Sequence, residues 1–338
     1  MTLRSILVLH NEPVLPKEHP DAESEHSVVE VAAEMTRILA DAGYDVRQLG
    51  LGPEPTVLWQ ELKKRKPDVV FNLYEGNADN TQTESFVAGL LEWSGIPYTG
   101  SPYAALSLAR AKHTTKYLLT GAGLPTADFL VVNALPVPEC TLAFPVIVKP
   151  AEQDGSVGVD QESVCTNQFQ LEQRVRYILE TYGPPVLIEE FIDGREFNVA
   201  LVELPELTAL PPSEITLPEG EWSILTYDGK WKPGAPSHGR ADLAPAAARK
   251  LRRLAEAAYR LLGCRDYARV DFRMNASGKP YILEVNPNPE ISETAGFVGC
   301  LESGQMAYKE FIVRLVRQAH TRKAAHGPCS ARATPTAG

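Results

Sequence analysis

Two short segments near the C-terminal end hold the residue types best suited to chemistry: Arg269-Val-Asp-Phe272 and Leu283-Glu-Val-Asn-Pro-Asn-Pro289. Each reads as a strand, with Gly278 in the turn between them. Side chains two apart on a strand share a face. Arg269 and Asp271 therefore point one way while Val270 and Phe272 pack the other, and Glu284 and Asn286 share a face with Val285 opposite. Paired as a hairpin, the strands bring Asp271, Glu284 and Asn286 together as three oxygen ligands. Hard Mg²⁺ takes a few such ligands and completes its shell with phosphate oxygens and water. A surface hairpin with alternating polar residues has the same pattern. However, two carboxylates beside an arginine, with Pro287 and Pro289 ending regular pairing, are better explained by a cation that offsets like charge.

A second constellation is Lys149-Pro-Ala-Glu-Gln-Asp-Gly-Ser-Val-Gly158. A lysine at a strand end faces a turn containing Gly155, Ser156, Val157 and Gly158. Backbone N–H groups in such turns form concave anion sites, and the lysine supplies compensating charge. No GK[ST] follows the glycines, so this is not a Walker A loop. In the third segment, Glu189-Glu-Phe-Ile-Asp-Gly-Arg-Glu196, a strand ends in carboxylates before a glycine turn. Its backbone is able to meet an adenine edge and Glu196 a ribose; a solvated acidic turn would look the same.

The elements that must position these residues follow from pattern. Residues 5–10 form an unalternating apolar run, as a buried parallel strand does. Ser27 and Glu30 have capping-box spacing before an amphipathic stretch through Met35 and Leu39, and Gly43 is placed to stop that helix. Strands at 45–49 and 68–73 flank a helix at 56–65, which predicts a small doubly wound sheet over residues 1–110. From Ala111 the pattern changes. Helices are expected at 112–120, 167–180 and 243–262, and strands at 144–149, 186–190, 196–203, 266–274 and 280–286, an α+β arrangement. Residues 319–338 lack a core pattern and read as a disordered tail.

Composition narrows the partners. With 33 Lys and Arg against 43 Asp and Glu, the formal charge is −10. The chain therefore lacks the concentrated cationic face that nucleic acid requires. No apolar run approaches a membrane span, and the N-terminal run meets Asn11 and Pro13 too soon for a signal peptide. Five scattered cysteines without CxxC spacing read as reduced thiols of a cytoplasmic protein. Oligomeric state is left open, a homodimer being the commonest closed assembly.

Together and in this order, the three segments, with Gly95-Ile-Pro-Tyr-Thr-Gly-Ser101 and Lys112 with Lys116, resemble the ATP-grasp superfamily, most closely the D-alanine–D-alanine ligases. The resemblance implies an α/β N-terminal Rossmann-like domain (1–110) followed by an α+β ATP-grasp domain of two subdomains (about 111–190 and 191–318). It places Lys112 and Lys149 on ATP phosphates, with Gly155, Ser156 and Val157 in the loop over them. Glu189, Glu190 and Ile192 would meet adenine and Glu196 the ribose. Asp271, Glu284 and Asn286 would hold two Mg²⁺ (or Mn²⁺) ions, and Arg269 and Lys230 would act on the reacting groups. The implied chemistry joins a small-molecule carboxylate to an amine through an acyl phosphate. A small-molecule kinase and a non-catalytic nucleotide-binding regulator are the alternatives, the latter disfavoured by the acidic face.

The departures from the family pattern fall on the amino-acid pocket. Gly155 stands where the first of two serines is usual, and Trp231 where a tyrosine follows the lysine. Glu290 replaces a glycine. The glutamate that orients the first amino acid has Glu25 as its nearest match, with His26 the other candidate. These changes predict substrates other than two D-alanines.

Overall fold

The structure, a computed structural model, describes residues 2–13, 22–77, 80–153, 155–217, 222–225, 238–293 and 295–325. Its described residues form three sheets. In the first, β1 (Ser5–Asn11) lies between β2 (Asp45–Leu51) and β3 (Val69–Asn72), all parallel. Ile6 to Leu9 are buried on both faces, which is why β1 shows no alternation. Asp68 fixes the register of β1 with β3: its Oδ2 accepts from the backbone N–H groups of Arg4 and Ser5, both at 3.0 Å.

Around this sheet lie α1 (Ala22–Asp41), α2 (Thr56–Lys64), α3 (Thr83–Ser94) and α4 (Tyr103–Arg110). Helix α1 begins five residues before the expected cap, so Ser27 is inside it rather than at its start. Residues 22–26 contain neither Gly nor Pro, and nothing in them stops the helix from extending. Gly43, at φ +89°, does end it. Helices α3 and α4 lie where no helix was expected.

The second sheet is antiparallel, in the order β4 (Phe129–Val132), β7 (Val186–Glu190), β5 (Val146–Pro150), β6 (Val164–Cys165). Helix α6 (Gln168–Thr181), capped by the Asn167 side chain, packs Leu171, Val175 and Ile178 on it. Helix α5 (Lys112–Gly121) leads into it. The third sheet runs β11 (His238–Arg240), β10 (Ser213–Ile215), β8 (Gly194–Glu203), β12 (Tyr267–Asn275), β13 (Pro280–Asn286), with β9 (Leu207–Ala209) also on β8. Helix α7 (Pro245–Leu262) carries proline at its start and left-handed Gly263 at its end. It buries Leu251, Ala255, Ala258, Tyr259 and Leu262 at helical spacing against this sheet.

Helices α8 (Gly296–Ser303) and α9 (Tyr308–Ala325) are the last of the described elements. The expected tail does not begin at 319, because α9 continues to Ala325 and Arg322 pairs with buried Asp266. Asp266 also accepts from Gly100 N–H at 2.8 Å, and Arg265 donates to Gly100 O at 2.8 Å. The Gly95–Ser101 segment is thus a seam between the first and third sheets. No helix among the described residues is long and apolar enough to cross a membrane.

Candidate active site

The third sheet presents one apolar and one polar face. Phe197, Val199, Leu201, Val270, Phe272, Ile282 and Val285 share the core beneath α7. On the other face, register aligns Ser213, Asn198, Asp271 and Glu284 across β10, β8, β12 and β13. The next rows place Arg269 opposite Asn286 and Glu196 opposite Arg273. Strict alternation alone cannot produce this pattern. Ile282 and Val285 are three residues apart yet share the core, because Phe272 pairs with Ile282 and Asp271 with Glu284, leaving Leu283 as a bulge. That one extra residue turns Glu284 onto the face of Asp271.

Asp271 is gripped by Arg269, whose Nε and terminal nitrogen donate to its two oxygens at 2.8 and 2.9 Å, and by the Asn198 side-chain amide. Burial alone would lower the guanidinium's pKa, but Asp271 and then Glu284 outweigh it and hold Arg269 above its ordinary value. Asn286 Oδ1 accepts from Asn288 N–H at 3.1 Å. The donor set suits a hard divalent cation: two carboxylates and an amide oxygen on adjoining strands, with no nitrogen or sulfur. Among the described residues no group of three or more His, Cys, Asp and Glu side chains gathers for a metal. With only two carboxylates, this set depends on phosphate oxygens and water for the rest of the shell.

Lys112 joins this row to the glycine turn. Its backbone N–H donates to Ala151 O at 2.9 Å, its Nζ donates to Gln153 O at 2.6 Å, and the same Nζ lies 3.6 Å from Glu284. In the turn, Gly155 and Ser156 have successive left-handed φ values of +64° and +65°, and Gly158 has +72°. A Cβ on Gly158 would come within 2.8 Å of Pro150 Cγ and 3.0 Å of Tyr182. Ser156 holds a conformation that costs a non-glycine residue roughly 1–3 kcal/mol, and such strain clusters at ligand clamps. Buried Arg174 fixes the far side of the turn, donating to Gly158 O at 2.8 Å, Asp160 at 3.0 Å and Ser163 at 2.8 Å.

Glu189, with an expected role at adenine, turns its carboxylate inward between Lys116 and Lys149. It is 2% exposed and Lys116 is 1% exposed. Burial pulls Glu189 up, but the two ammonium groups prevail and hold its pKa at about 2. Lys116 is pulled below its ordinary value by burial, against the opposing pull of Glu189. Lys116 Nζ also donates to Thr126 Oγ1 at 2.7 Å, and Thr126 donates to Ile282 O at 2.9 Å, at the β13 bulge. Lys149 is thus poised at the end of β5 by a carboxylate that is itself fixed.

Beyond the strand end, the Glu190 carboxylate accepts from Ala143 N–H at 3.4 Å, and Ile192 O accepts from Arg273 at 3.1 Å. Glu196 is buried and accepts from Arg273 Nε at 3.0 Å; burial raises its pKa despite that partner. Glu290 is exposed and accepts from Ser292 Oγ at 2.6 Å. Lys230 and Trp231 lie outside the described residues, as does the side chain of Glu25 on α1. Among residues without an expected role, Asn198 and Arg273 had a signal: Glu196-x-Asn198 and Asp271-x-Arg273 repeat the same-face spacing. Glu84, paired with buried Arg110 and accepting from Asn288 Nδ2 at 2.8 Å, had none.

An acidic row, an arginine and two lysines around a glycine turn, set between two antiparallel sheets, define an ATP-grasp ligase. The comparisons with known proteins agree. The family model described as D-ala D-ala ligase C-terminus matches residues 118–317. The chain is 33% identical to a D-alanine–D-alanine ligase of Gloeobacter violaceus, over 82% of this chain and 89% of that one. It is 35% identical to the uncharacterized protein y4sG of Sinorhizobium fredii, over 78% of each. The solved D-alanine–D-alanine ligase of Bacillus anthracis complexed with ATP shares the fold, with a TM-score of 0.77 at 20% identity, over 96% of this chain and 100% of that one. The chain belongs to the D-alanine–D-alanine ligase-like family of ATP-grasp enzymes, which form C–N bonds.

Proposed function

We propose that the chain is an ATP-dependent carboxylate–amine ligase working through an acyl phosphate, and that its substrates are not two D-alanines. The observation that carries the reading is Lys112, whose ammonium lies 3.6 Å from Glu284 of the acidic row and donates to Gln153 O, just before the glycine turn. A cation held there sits between a metal-type donor set and an anion-type turn, where a triphosphate bridges the two.

The roles follow from position. Lys112 and Lys149 offset charge on the phosphates while the backbone of Gly155, Ser156 and Val157 lies over them. Glu190 and Ile192 face the adenine end and Glu196 the ribose. Asp271, Glu284 and Asn286 would hold Mg²⁺, which when bound supplies charge stabilisation to the transferring phosphoryl group. A substrate carboxylate oxygen bonds to the γ-phosphorus as the bond to ADP breaks. An amine nitrogen then attacks the acyl carbon, phosphate leaves, and Arg269 stabilises the oxyanion that forms between these events. Lys230, outside the described residues, is a further cation for the phosphates in this reading.

Glu25, Trp231 and Glu290 are the substrate-binding residues in this reading. A carboxylate at 290 repels an acceptor carboxylate and favours an amine or cation. Residues 1–110 form the Rossmann-like domain and 111–318 the ATP-grasp domain.

The test is Mg²⁺-dependent ADP release across D-amino acids, L-amino acids and simple amines, with Asp271→Ala as the blank. Release that needs one acid–amine pair establishes the ligase and names its substrates. D-Alanyl-D-alanine formed at an ordinary enzymatic rate would refute the substrate claim. ADP release without amine dependence, leaving a stable phosphorylated product, would replace the ligase with a kinase.

A further inference from the structure

Arg273 makes more directed contacts than any role assigned so far requires. It is 4% exposed and lies on β12 two residues beyond Asp271, on the same face. Its Nε donates to Glu196 at 3.0 Å, one terminal nitrogen donates to Ile192 O at 3.1 Å, and the other donates to Ser223 O. Its guanidinium lies 5.3 Å from the Phe191 ring centroid, and that ring meets Trp222 edge-on at 5.3 Å. One planar fork therefore joins β8, the turn after β7 and the Trp222–Ile224 segment.

That segment is held from a second side. The Gln161 side-chain amide donates to Trp222 O at 3.2 Å and accepts from Trp222 N–H at 2.9 Å, pairing like a strand neighbour. Gln161 follows directly on Asp160, which Arg174 clamps together with the glycine turn. Hydrogen bonds joined by chain neighbours thus run from Glu196 and Ile192 through Arg273 to Ser223, from adjacent Trp222 to Gln161, and from adjacent Asp160 through Arg174 to Gly158.

We propose that Arg273 is a positioning residue that sets nucleoside recognition, holding Glu196 and the 191–192 turn in the geometry that reads the ribose and base. The proposal rests on the reading of Glu196 as the ribose partner. The physical argument is that Glu196 is a buried carboxylate with a flexible stem. Without a fixed cation it would neutralise or turn away, and a lysine cannot satisfy three divergent acceptors from one ammonium. Arg273 reaches the nucleotide only through Glu196 and the backbone it holds.

The experiment measures binding of Mg²⁺–ATP and of Mg²⁺–2′,3′-dideoxy-ATP, which lacks both ribose hydroxyls, by calorimetry on the full chain, alongside KM and kcat. Wild type should prefer ATP, and Glu196→Gln should lose that preference. Arg273→Met should weaken ATP binding by about tenfold or more, the effect of losing a charged hydrogen bond. It should also bring the two nucleotides to near-equal affinity and leave kcat at saturating ATP close to wild type. Arg273→Lys should recover part of the preference, and it carries the test if Arg273→Met does not fold. If Glu196→Gln abolishes the preference while both Arg273 variants keep it, the role of Arg273 is overturned and the Glu196 reading stands. If wild type and Glu196→Gln bind both nucleotides alike, the ribose reading of Glu196 falls, and the proposal falls with it. Equal weakening of both nucleotides together with a fall in kcat would make Arg273 merely structural.

Discussion

Two charged clusters face each other across the candidate site, and they are built differently. Where α5 meets the second sheet, Lys116 and Glu189 form a closed pair beside Lys149: Glu189 is nearly inaccessible and both its neighbours are cations. In the third sheet, Asp271 is buried, but the Arg269 and Glu284 side chains are 20% and 38% exposed. Lys116 and Glu189 support the scaffold and hold Lys149, 16% exposed, at the cluster's open edge, whereas the third-sheet cluster keeps oxygen donors within reach of a ligand. Buried pairs are costly to break but are not themselves available for chemistry. Charges at the edge of water contribute little to stability and can exchange partners.

The contrast can be broken most severely at Lys116. Lys116→Met should cost about 3 kcal/mol of stability, since it leaves a buried carboxylate with one cation instead of two; urea unfolding measures it. Asp271→Ala should act the other way round, lowering ADP release by about a hundredfold or more through lost charge stabilisation. Its urea midpoint should move less than that of Lys116→Met, because Arg269, 20% exposed, can turn to water once its partner is gone. If both variants lost stability and activity in equal measure, the division between scaffold and working cluster would be wrong.

The pH dependence sharpens the same point. Glu189 titrates at about 2 in the folded chain against an ordinary 4.5. Its stabilisation is therefore complete above 4.5 and is lost as pH falls from there toward 2, by roughly 3 kcal/mol in all. Glu189→Gln should flatten the stability profile over that window, as denaturant unfolding at a series of pH values would show. The smallest effect belongs to Glu284→Gln. Stability should change by less than about 1 kcal/mol, as expected for an exposed partner of Lys112, while the Mg²⁺ concentration needed for half-maximal ADP release rises.

How far the sequence alone reached depends on the range of the interaction. The period-2 alternation of Arg269-Val-Asp-Phe272 is local geometry and assigned two side chains to one face without any knowledge of neighbours. The hairpin turn at Gly278, the apolar run of β1 and the helical spacing of α7 were legible for the same reason. The Ser27 cap was misplaced because a helix start depends on what fails to stop it upstream, and residues 22–26 offer nothing that does. The bulge at Leu283 was not legible, since it arises only when Ile282 and Val285 must both pack under α7 while Glu284 faces Asp271. The resemblance assigns Glu189 to adenine, and nothing in the linear chain shows that its carboxylate lies between two lysines. Its actual partners come from α5 and β5, about 73 and 40 residues away in sequence. The sequence by itself determined which residues share a strand face and which can donate oxygen or positive charge. Only the tertiary structure decided which of those charges are buried in pairs and which remain open, because desolvation and Coulomb attraction depend on neighbours that the chain brings together by packing.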